Sequence, residues 1–173
     1  MALAISDPKD QESLKQVVRR ICGHFKTLIE SNGLVKLLYD KQQILKPERA
    51  AQLLFFGIAD AYCKANNLDL SPESNSGRGP VDFKISQGYQ LRLNVEVKYS
   101  SNVKLVSGFE KQLPTYDAAE HSFHSVYLVL RTTPSERSIK RVQTLRNNAL
   151  TSGQRSPDVI IVDARIQASA SRL

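Results

Sequence analysis

Residues 79–100, GPVDFKISQGYQLRLNVEVKYS, decide the expected fold because they contain two alternating strands joined by a short turn. Side chains alternate across a strand, so the apolar residues of each half lie on one face. The two apolar sets share a face only if the loop between the strands has an odd number of residues. We therefore predict a three-residue turn at residues 87–89, which pairs Asp82 with Asn94.

The polar face of this hairpin gathers two carboxylates and one ammonium group. Glu96 and Lys98 lie two residues apart on the second strand, about 6 to 7 Å along it. In the predicted register Asp82 lies diagonal to Glu96, so the three side chains can converge. A solvated cross-strand ion pair would have the same pattern. The hairpin alone therefore leaves a functional site and an ordinary ion-pair face both open.

The rest of the chain alternates helical and strand patterns around the hairpin. Apolar spacings of three and four predict a helix before Asn32-Gly33, a short helix at 34–39 and a third helix from Pro47 to Asn66-Asn67. A strand fragment precedes the hairpin. A helix, a buried strand at 125–133, a basic helix at 135–150 and a last strand at 157–165 follow it. This order predicts a single α/β domain with a mixed sheet.

Composition limits the class of protein. The chain has 173 residues, 41% hydrophobic and 24% charged, which is typical of one soluble globular domain. No apolar run approaches the roughly 18 to 20 residues that span a bilayer, and the N-terminus lacks a signal-peptide pattern, so a cytoplasmic location is expected. Cys22 and Cys63 are predicted to be buried thiols in a reducing compartment. The net charge of +7 favours a polyanionic partner such as nucleic acid.

Two motifs in the hairpin resemble those of the PD-(D/E)xK nucleases. The first is Pro80-Val81-Asp82 near the start of one strand, and the second is Glu96-Val97-Lys98 in the next. Gln112 and Tyr116 in QLPTY then resemble the QxxxY motif of the RecB-like branch. The resemblance implies a restriction endonuclease-like core of helix, three strands, helix and strand. We expect this core at residues 47–165, after an N-terminal helical extension at 1–46 in the same domain.

The sequence departs from the family pattern at two places. Pro114 lies between Gln112 and Tyr116, and a proline inside a helix costs about 3 kcal/mol or kinks it. That helix must therefore begin near Gln112 or bend there. The supplementary acid of the family corresponds to Glu48 or Glu73, and Glu48 is preferred because it lies on a predicted helix.

The resemblance implies Mg²⁺-dependent hydrolysis of phosphodiester bonds, with Mn²⁺ as a substitute ion and DNA as the expected substrate. Asp82 and Glu96 are hard oxygen ligands suited to Mg²⁺, and the Val97 carbonyl and Glu48 are candidate additional ligands. Lys98 can orient the attacking water, stabilise negative charge, or act as a base if its pKa is depressed. Gln112 and Tyr116 are expected to hold the site or the nucleic-acid backbone.

The basic residues around these motifs are candidate phosphate contacts. The candidates are Arg78, Lys104, Lys111, Arg137, Lys140 and Arg141. A small nuclease implies a homodimer or a partner protein that supplies recognition or a motor, in defence or repair. His124 is expected to have a turn or surface role. Two alternatives stay open: a non-catalytic nucleic-acid-binding or assembly module, and an α/β protein with an unrelated anionic ligand. RNA as substrate also stays open.

Overall fold

The structure is a computed structural model and describes residues 8–74, 81–111 and 124–166. The helices are α1 (Gln11–Glu30), α2 (Arg49–Ala65), α3 (residues 105–111) and α4 (Arg137–Thr151), with a short 3-10 helix at Leu34–Leu38. The strands are β1 (Asp69–Ser74), β2 (Val81–Gln87), β3 (Leu91–Tyr99), β4 (His124–Arg131) and β5 (Asp158–Asp163).

The five strands form one mixed sheet in the order β1-β2-β3-β4-β5. The first three strands pair antiparallel, and β3, β4 and β5 pair parallel. Parallel neighbours need crossover connections, and α3 and α4 lie in the two crossovers. The predicted α/β class, the element order and the mixed sheet are confirmed.

One face of the sheet packs against α1 and α2 to form the larger core. Alternate residues of β2 and β3 point into it, including Phe83, Leu93 and Val95. Phe55 of α2 lies at its centre, with its ring 5.5 Å from that of Phe25 in α1 and 5.3 Å from that of Phe83. Each aromatic side chain removes a large apolar area from water, so these contacts fix both helices on the sheet.

The opposite face of the sheet packs against α3 and α4. Phe109 of α3 and Val142 of α4 contact Tyr127 and Val129 of β4 in this second, smaller core. The Tyr127 hydroxyl donates a hydrogen bond of 2.9 Å to the Leu105 carbonyl, which ties the start of α3 to the sheet. The sheet is therefore covered by helices on both faces, as parallel strands require.

The hairpin turn differs from the prediction by one residue. Gln87 pairs with Leu91, so the loop is Gly88–Gln90 rather than residues 87–89, although it has the predicted three residues. Gly88 has a φ of +59°, a left-handed conformation that favours glycine, and the chain reverses from there. Asn94 consequently lies opposite Lys84 and not opposite Asp82. The corrected register brings Asp82 level with Glu96.

The predicted helix ends are confirmed. Gly33, with a φ of +79°, follows the end of α1, and Asn67, with a φ of +54°, follows the end of α2. Cys22 and Cys63 are free thiols buried in the larger core, as predicted. Within the described ranges, no helix combines the length and the apolar character needed to cross a bilayer.

Candidate functional site

Asp82 lies at a fork where β2 separates from β3. The ladder between these strands runs from Gln87 and Leu91 to Phe83 and Val95. One residue further, the Oδ2 of Asp82 accepts a 2.7 Å hydrogen bond from the Val97 backbone N–H. Asp82, Glu96, Lys98 and the side chains that contact them together form the fork. Beyond the end of the ladder, the Asp82 carboxylate thus takes the place of a backbone carbonyl as the acceptor for the Val97 N–H.

Lys98 brings the three predicted carboxylates of the fork together. Its Nζ lies 3.2 Å from Glu96, 3.8 Å from Asp82 and 3.5 Å from Glu48. Asp82 and Glu96 are each only 6% exposed, so these charges are largely removed from water. Attraction between buried charges is stronger than at the surface, and their desolvation is more costly. The predicted convergence of Asp82, Glu96 and Lys98 is present.

Glu48 reaches the fork from the N-terminal end of α2. It is the N-cap residue of that helix, and its carboxylate accepts a 2.6 Å hydrogen bond from the Tyr99 backbone N–H. The side-chain amide of Asn102 donates to the same carboxylate at 3.0 and 3.1 Å. Of the two candidates for the supplementary acid, Glu48 therefore contacts Lys98. The side chain of Glu73 lies outside the described part of the chain.

Burial raises the pKa of the Asp82 carboxyl above its ordinary value of 3.8. Lys98, the Val97 N–H and the Gln52 side chain oppose this rise by stabilising the charged form, whereas Glu48 adds to it. Desolvation outweighs the favourable contacts, so the charged form of this buried carboxyl is less stable than that of an acid in water.

Burial lowers the pKa of Lys98, but the neighbouring Glu96, Asp82 and Glu48 raise it by more. The net pKa lies above the ordinary value of 10.5. Lys98 is therefore an ammonium at neutral pH in the metal-free chain, which makes it a donor of hydrogen bonds rather than a base.

Asn94 extends the polar row of β3 beyond Glu96. It is 3% exposed, and neither polar atom of its amide has a hydrogen-bond partner within the described chain. A buried amide without a partner costs about 1 to 3 kcal/mol. Apolar and polar residues therefore alternate along β3. The polar ones, Asn94, Glu96 and Lys98, form a row that is largely shielded from water.

The other predicted site residues have different positions. Arg78, Gln112 and Tyr116 lie outside the described residues. Lys104 and Lys111 lie at the two ends of α3, both exposed.

On α4, Arg137, Lys140 and Arg141 are exposed. Lys140 pairs with Glu136 at 3.4 Å, and Arg141 pairs with Glu110 of α3 at 3.8 Å. The described basic candidates thus lie on the two helices that cover the smaller core.

Gln52 and Asn102 contact the acids of the fork, and the sequence did not predict either contact. The Gln52 side chain donates a 2.9 Å hydrogen bond to the Oδ1 of Asp82, and Asn102 holds Glu48. Gln52 follows Glu48 by four residues, so helical spacing indicates that both lie on one face of α2. Asn102 follows the end of β3 and has no comparable spacing signal.

The fork offers a pair of hard oxygen donors beside an ammonium group. Within the described ranges, no group of three or more His, Cys, Asp or Glu side chains is arranged to hold a metal ion. Mg²⁺ needs fewer protein ligands than this, because it is commonly held by one or two carboxylates together with waters and substrate phosphates. The donor chemistry of Asp82 and Glu96 therefore fits Mg²⁺.

The comparisons with known proteins give one family. Residues 14–134 match the family described as "Domain of unknown function (DUF8371)", and this span contains the whole fork. No curated protein and no solved structure matches the chain. Because the matched span covers more than half of the 173 residues, the chain belongs to the DUF8371 family.

Proposed function

We propose that this protein is a Mg²⁺-dependent nuclease of the PD-(D/E)xK type that hydrolyses phosphodiester bonds in DNA, on a restriction endonuclease-like core. The observation that carries the proposal is the convergence of Asp82, Glu96 and Lys98 at the fork, with Lys98 within 3.8 Å of both carboxylates. The polar groups are buried at one end of a strand pair, where an ion pair that served only solubility would have no reason to lie.

Asp82 and Glu96 are the residues that would hold the metal ion, with Glu48 and the Val97 carbonyl as candidate additional ligands. When bound, Mg²⁺ supplies Lewis-acid polarisation of the phosphoryl oxygens and lowers the pKa of a coordinated water. The raised pKa of Asp82 supports this assignment, because a buried carboxylate gains from a cation placed beside it.

In this proposal Lys98 acts as a positioned ammonium group. Its three N–H donors lie beside the carboxylates, where they can hydrogen-bond a phosphate oxygen or the attacking water. Negative charge that develops on the phosphoryl group in the transition state is stabilised most by donors that are already oriented.

Gln52 is a positioning residue in the proposed site, and Glu48 positions Lys98 in addition to being a candidate metal ligand. Gln52 fixes one oxygen of Asp82, and the Val97 N–H fixes the other. Glu48 is itself held by Tyr99 and Asn102, and it keeps the Lys98 ammonium beside β3. Such contacts hold reacting groups close to productive geometry.

The proposal is tested with a cleavage assay on plasmid and linear DNA, single- and double-stranded, with Mg²⁺, Mn²⁺ or EDTA. We expect metal-dependent cleavage by the wild type and a loss of at least about a hundredfold in Asp82→Asn, Glu96→Gln and Lys98→Met. An RNA arm identifies which nucleic acid is cut.

Asp60→Asn and Lys64→Met are matched controls, because these residues form an exposed ion pair on α2, away from the fork. Both controls are expected to cleave at the wild-type rate. Full cleavage by all three fork variants would contradict the proposal. Salt-sensitive DNA binding without cleavage under either metal would instead identify a non-catalytic binding module.

A further inference from the structure

A second polar site lies at the end of the sheet where β4 and β5 begin. A cavity of about 550 Å³ opens there between α1 and the C-terminal part of α4. His124 and Ser125 of β4 form part of its wall, and Asp158 is the first residue of β5. The cavity shares no lining residue with the fork.

Three cations in this cavity surround one carboxylate. The Nε of Arg19 donates a 2.7 Å hydrogen bond to the Oδ2 of Asp158, and the Nη2 of Arg19 lies 2.7 Å from the same oxygen. The Nζ of Lys15 lies 3.8 Å from the same oxygen, and the Nη2 of Arg146 lies 3.7 Å from Oδ1. Arg155 is a fourth cation in the lining. The site is thus strongly positive around a single negative group.

The cations differ in how closely they contact Asp158: Arg19 forms a close ion pair with it, whereas Lys15 and Arg146 lie farther away. Arg19 and Asp158 form a hydrogen-bonded ion pair at 2.7 Å, and the Asp158 side chain is only 13% exposed. The separations of Lys15 and Arg146 from Asp158 are longer than a hydrogen bond. Glu12, the other acid beside Lys15, is 4.0 Å away and mostly exposed. The ammonium of Lys15 and the Nη2 of Arg146 therefore have unused donor capacity, and both residues line the cavity.

We propose that this cavity binds a phosphomonoester of nucleotide size, with Lys15 and Arg146 donating to the phosphate oxygens. Asp158 would hold Arg19 in place and prevent the cations from separating. Several positive groups around one acid favour a dianionic ligand over a single carboxylate. The planar guanidinium group can also donate two parallel hydrogen bonds to phosphate oxygens. The volume falls within the roughly 300 to 1,000 Å³ of small-molecule sites, so a nucleoside fits beside the phosphate.

The inference goes beyond the proposed nuclease activity and does not depend on it. Leu93, the partner of His124 in the sheet, precedes Glu96 by three residues, so the cavity begins about 10 Å along β3 from the fork. A free nucleotide and the phosphorylated end of a nucleic-acid strand offer the same phosphomonoester. The experiment distinguishes these two sources.

His124 provides a local spectroscopic readout. Burial lowers its pKa, and Lys15 and Arg155 lower it further, while Glu12 and Asp158 act in the opposite direction. A bound dianion would stabilise the imidazolium, so the pKa of His124 is expected to rise on binding.

The test measures binding of inorganic phosphate, deoxyadenosine 5′-monophosphate, and matched 5′-phosphorylated and 5′-hydroxyl oligonucleotides by calorimetry. The His124 pKa is followed by NMR. We expect phosphate-dependent binding that weakens about tenfold or more in Lys15→Gln and Arg146→Gln, because each removes a charged phosphate donor. Arg19→Gln is expected to weaken binding as well, because it frees Asp158 to pair with those two donors. Binding of the mononucleotide identifies a free nucleotide as ligand. Binding of the phosphorylated oligonucleotide alone identifies a strand end.

Arg20→Gln is the matched control for Arg19→Gln, because it removes the same charge from the next position of α1, outside the cavity. Equal weakening in Arg20→Gln, or equal binding of the phosphorylated and hydroxyl oligonucleotides, would overturn the inference. Circular dichroism of every variant excludes unfolding as the cause. Binding to the cavity is measured without cleavage, and the cavity shares no lining residue with the fork, so failure of this inference is separated from failure of the nuclease proposal.

Discussion

At the scale of a single residue, hydrogen bonds stabilise the charge of Asp82 whereas burial destabilises it. Both oxygens of its carboxylate accept hydrogen bonds, from Gln52 and from the Val97 N–H. Desolvation nevertheless raises its pKa, so its charge opposes folding at neutral pH. A charge that reduces stability while being held by two donors is a common property of functional sites, where arrangement for chemistry competes with arrangement for stability.

We predict that Asp82→Asn unfolds at a higher temperature than the wild type at pH 7. The substitution removes the buried charge, and the Gln52 amide can rotate to accept from the new side-chain NH₂ while Val97 still donates to the oxygen. At low pH the wild-type carboxyl is protonated and resembles asparagine. The stability difference should therefore grow as pH rises from about 3.8 through the raised pKa, and then level off.

Thermal unfolding between pH 3 and pH 8 checks this prediction, with Asp60→Asn as the control for loss of a surface carboxylate. A variant less stable than the wild type at pH 7 would show that the two hydrogen bonds outweigh the desolvation.

At the scale of elements, α2 serves both the core and the fork. Phe55 on one side of the helix packs on Phe83, whereas Glu48 and Gln52, one turn apart, reach Lys98 and Asp82. The position of the fork is therefore coupled to how α2 packs on the sheet. The two helices of this face also carry the buried thiols, Cys22 on α1 and Cys63 on α2.

We predict that neither thiol reacts with a thiol-specific reagent in the folded protein at pH 8. Burial raises the pKa of Cys22 and of Cys63 from 9.0 to about 12. The reactive thiolate fraction at pH 8 is then roughly a thousandfold smaller than for an ordinary cysteine. Ellman's reagent should count no thiols in the native chain and both in urea. Rapid labelling before unfolding would mean that α1 and α2 separate more easily than their packing indicates.

The sequence predicted elements better than contacts between them. Alternation in the hairpin and helical periodicity elsewhere led to the right order of helices and strands, because each pattern reports which face is buried. The turn was wrong by one residue, since alternation requires an odd loop but does not say where it begins, and Gly88 begins it. The roles of Gln52 and Asn102 depend on how α2 and the end of β3 meet, which no local pattern encodes.

At the scale of the whole molecule, two cores on opposite faces of one sheet support the two polar sites. The fork lies where β2 and β3 separate, and the basic cavity lies at the start of β4 and β5. Both sites are thus built at strand ends, where the backbone ladder stops and side chains are free to converge. The parallel part of the sheet, buried between helices, provides a rigid support for them.

We predict that Phe55→Ala lowers the free energy of unfolding by about 3 to 5 kcal/mol, because the side chain is fully buried between two other aromatic rings. Urea unfolding measures the change. Leu53→Ala is the control on the same helix, since Leu53 is 57% exposed, and its effect should stay within about 0.5 kcal/mol. Similar losses in both variants would contradict the central position of Phe55.

The contacts between α1 and β5 set an order of events during synthesis. Each strand of the sheet pairs with its neighbour along the chain, so strands can join as they leave the ribosome. By contrast, Lys26 of α1 donates to the Ile161 carbonyl, and Glu30 accepts from the Asp163 N–H. Residue 161 is made 135 residues after Lys26, roughly 7 to 27 s later at about 5 to 20 residues per second. For that time the hydrogen-bond partners of Lys26 and Glu30 on β5 have not yet been made, so these two contacts between α1 and β5 form late.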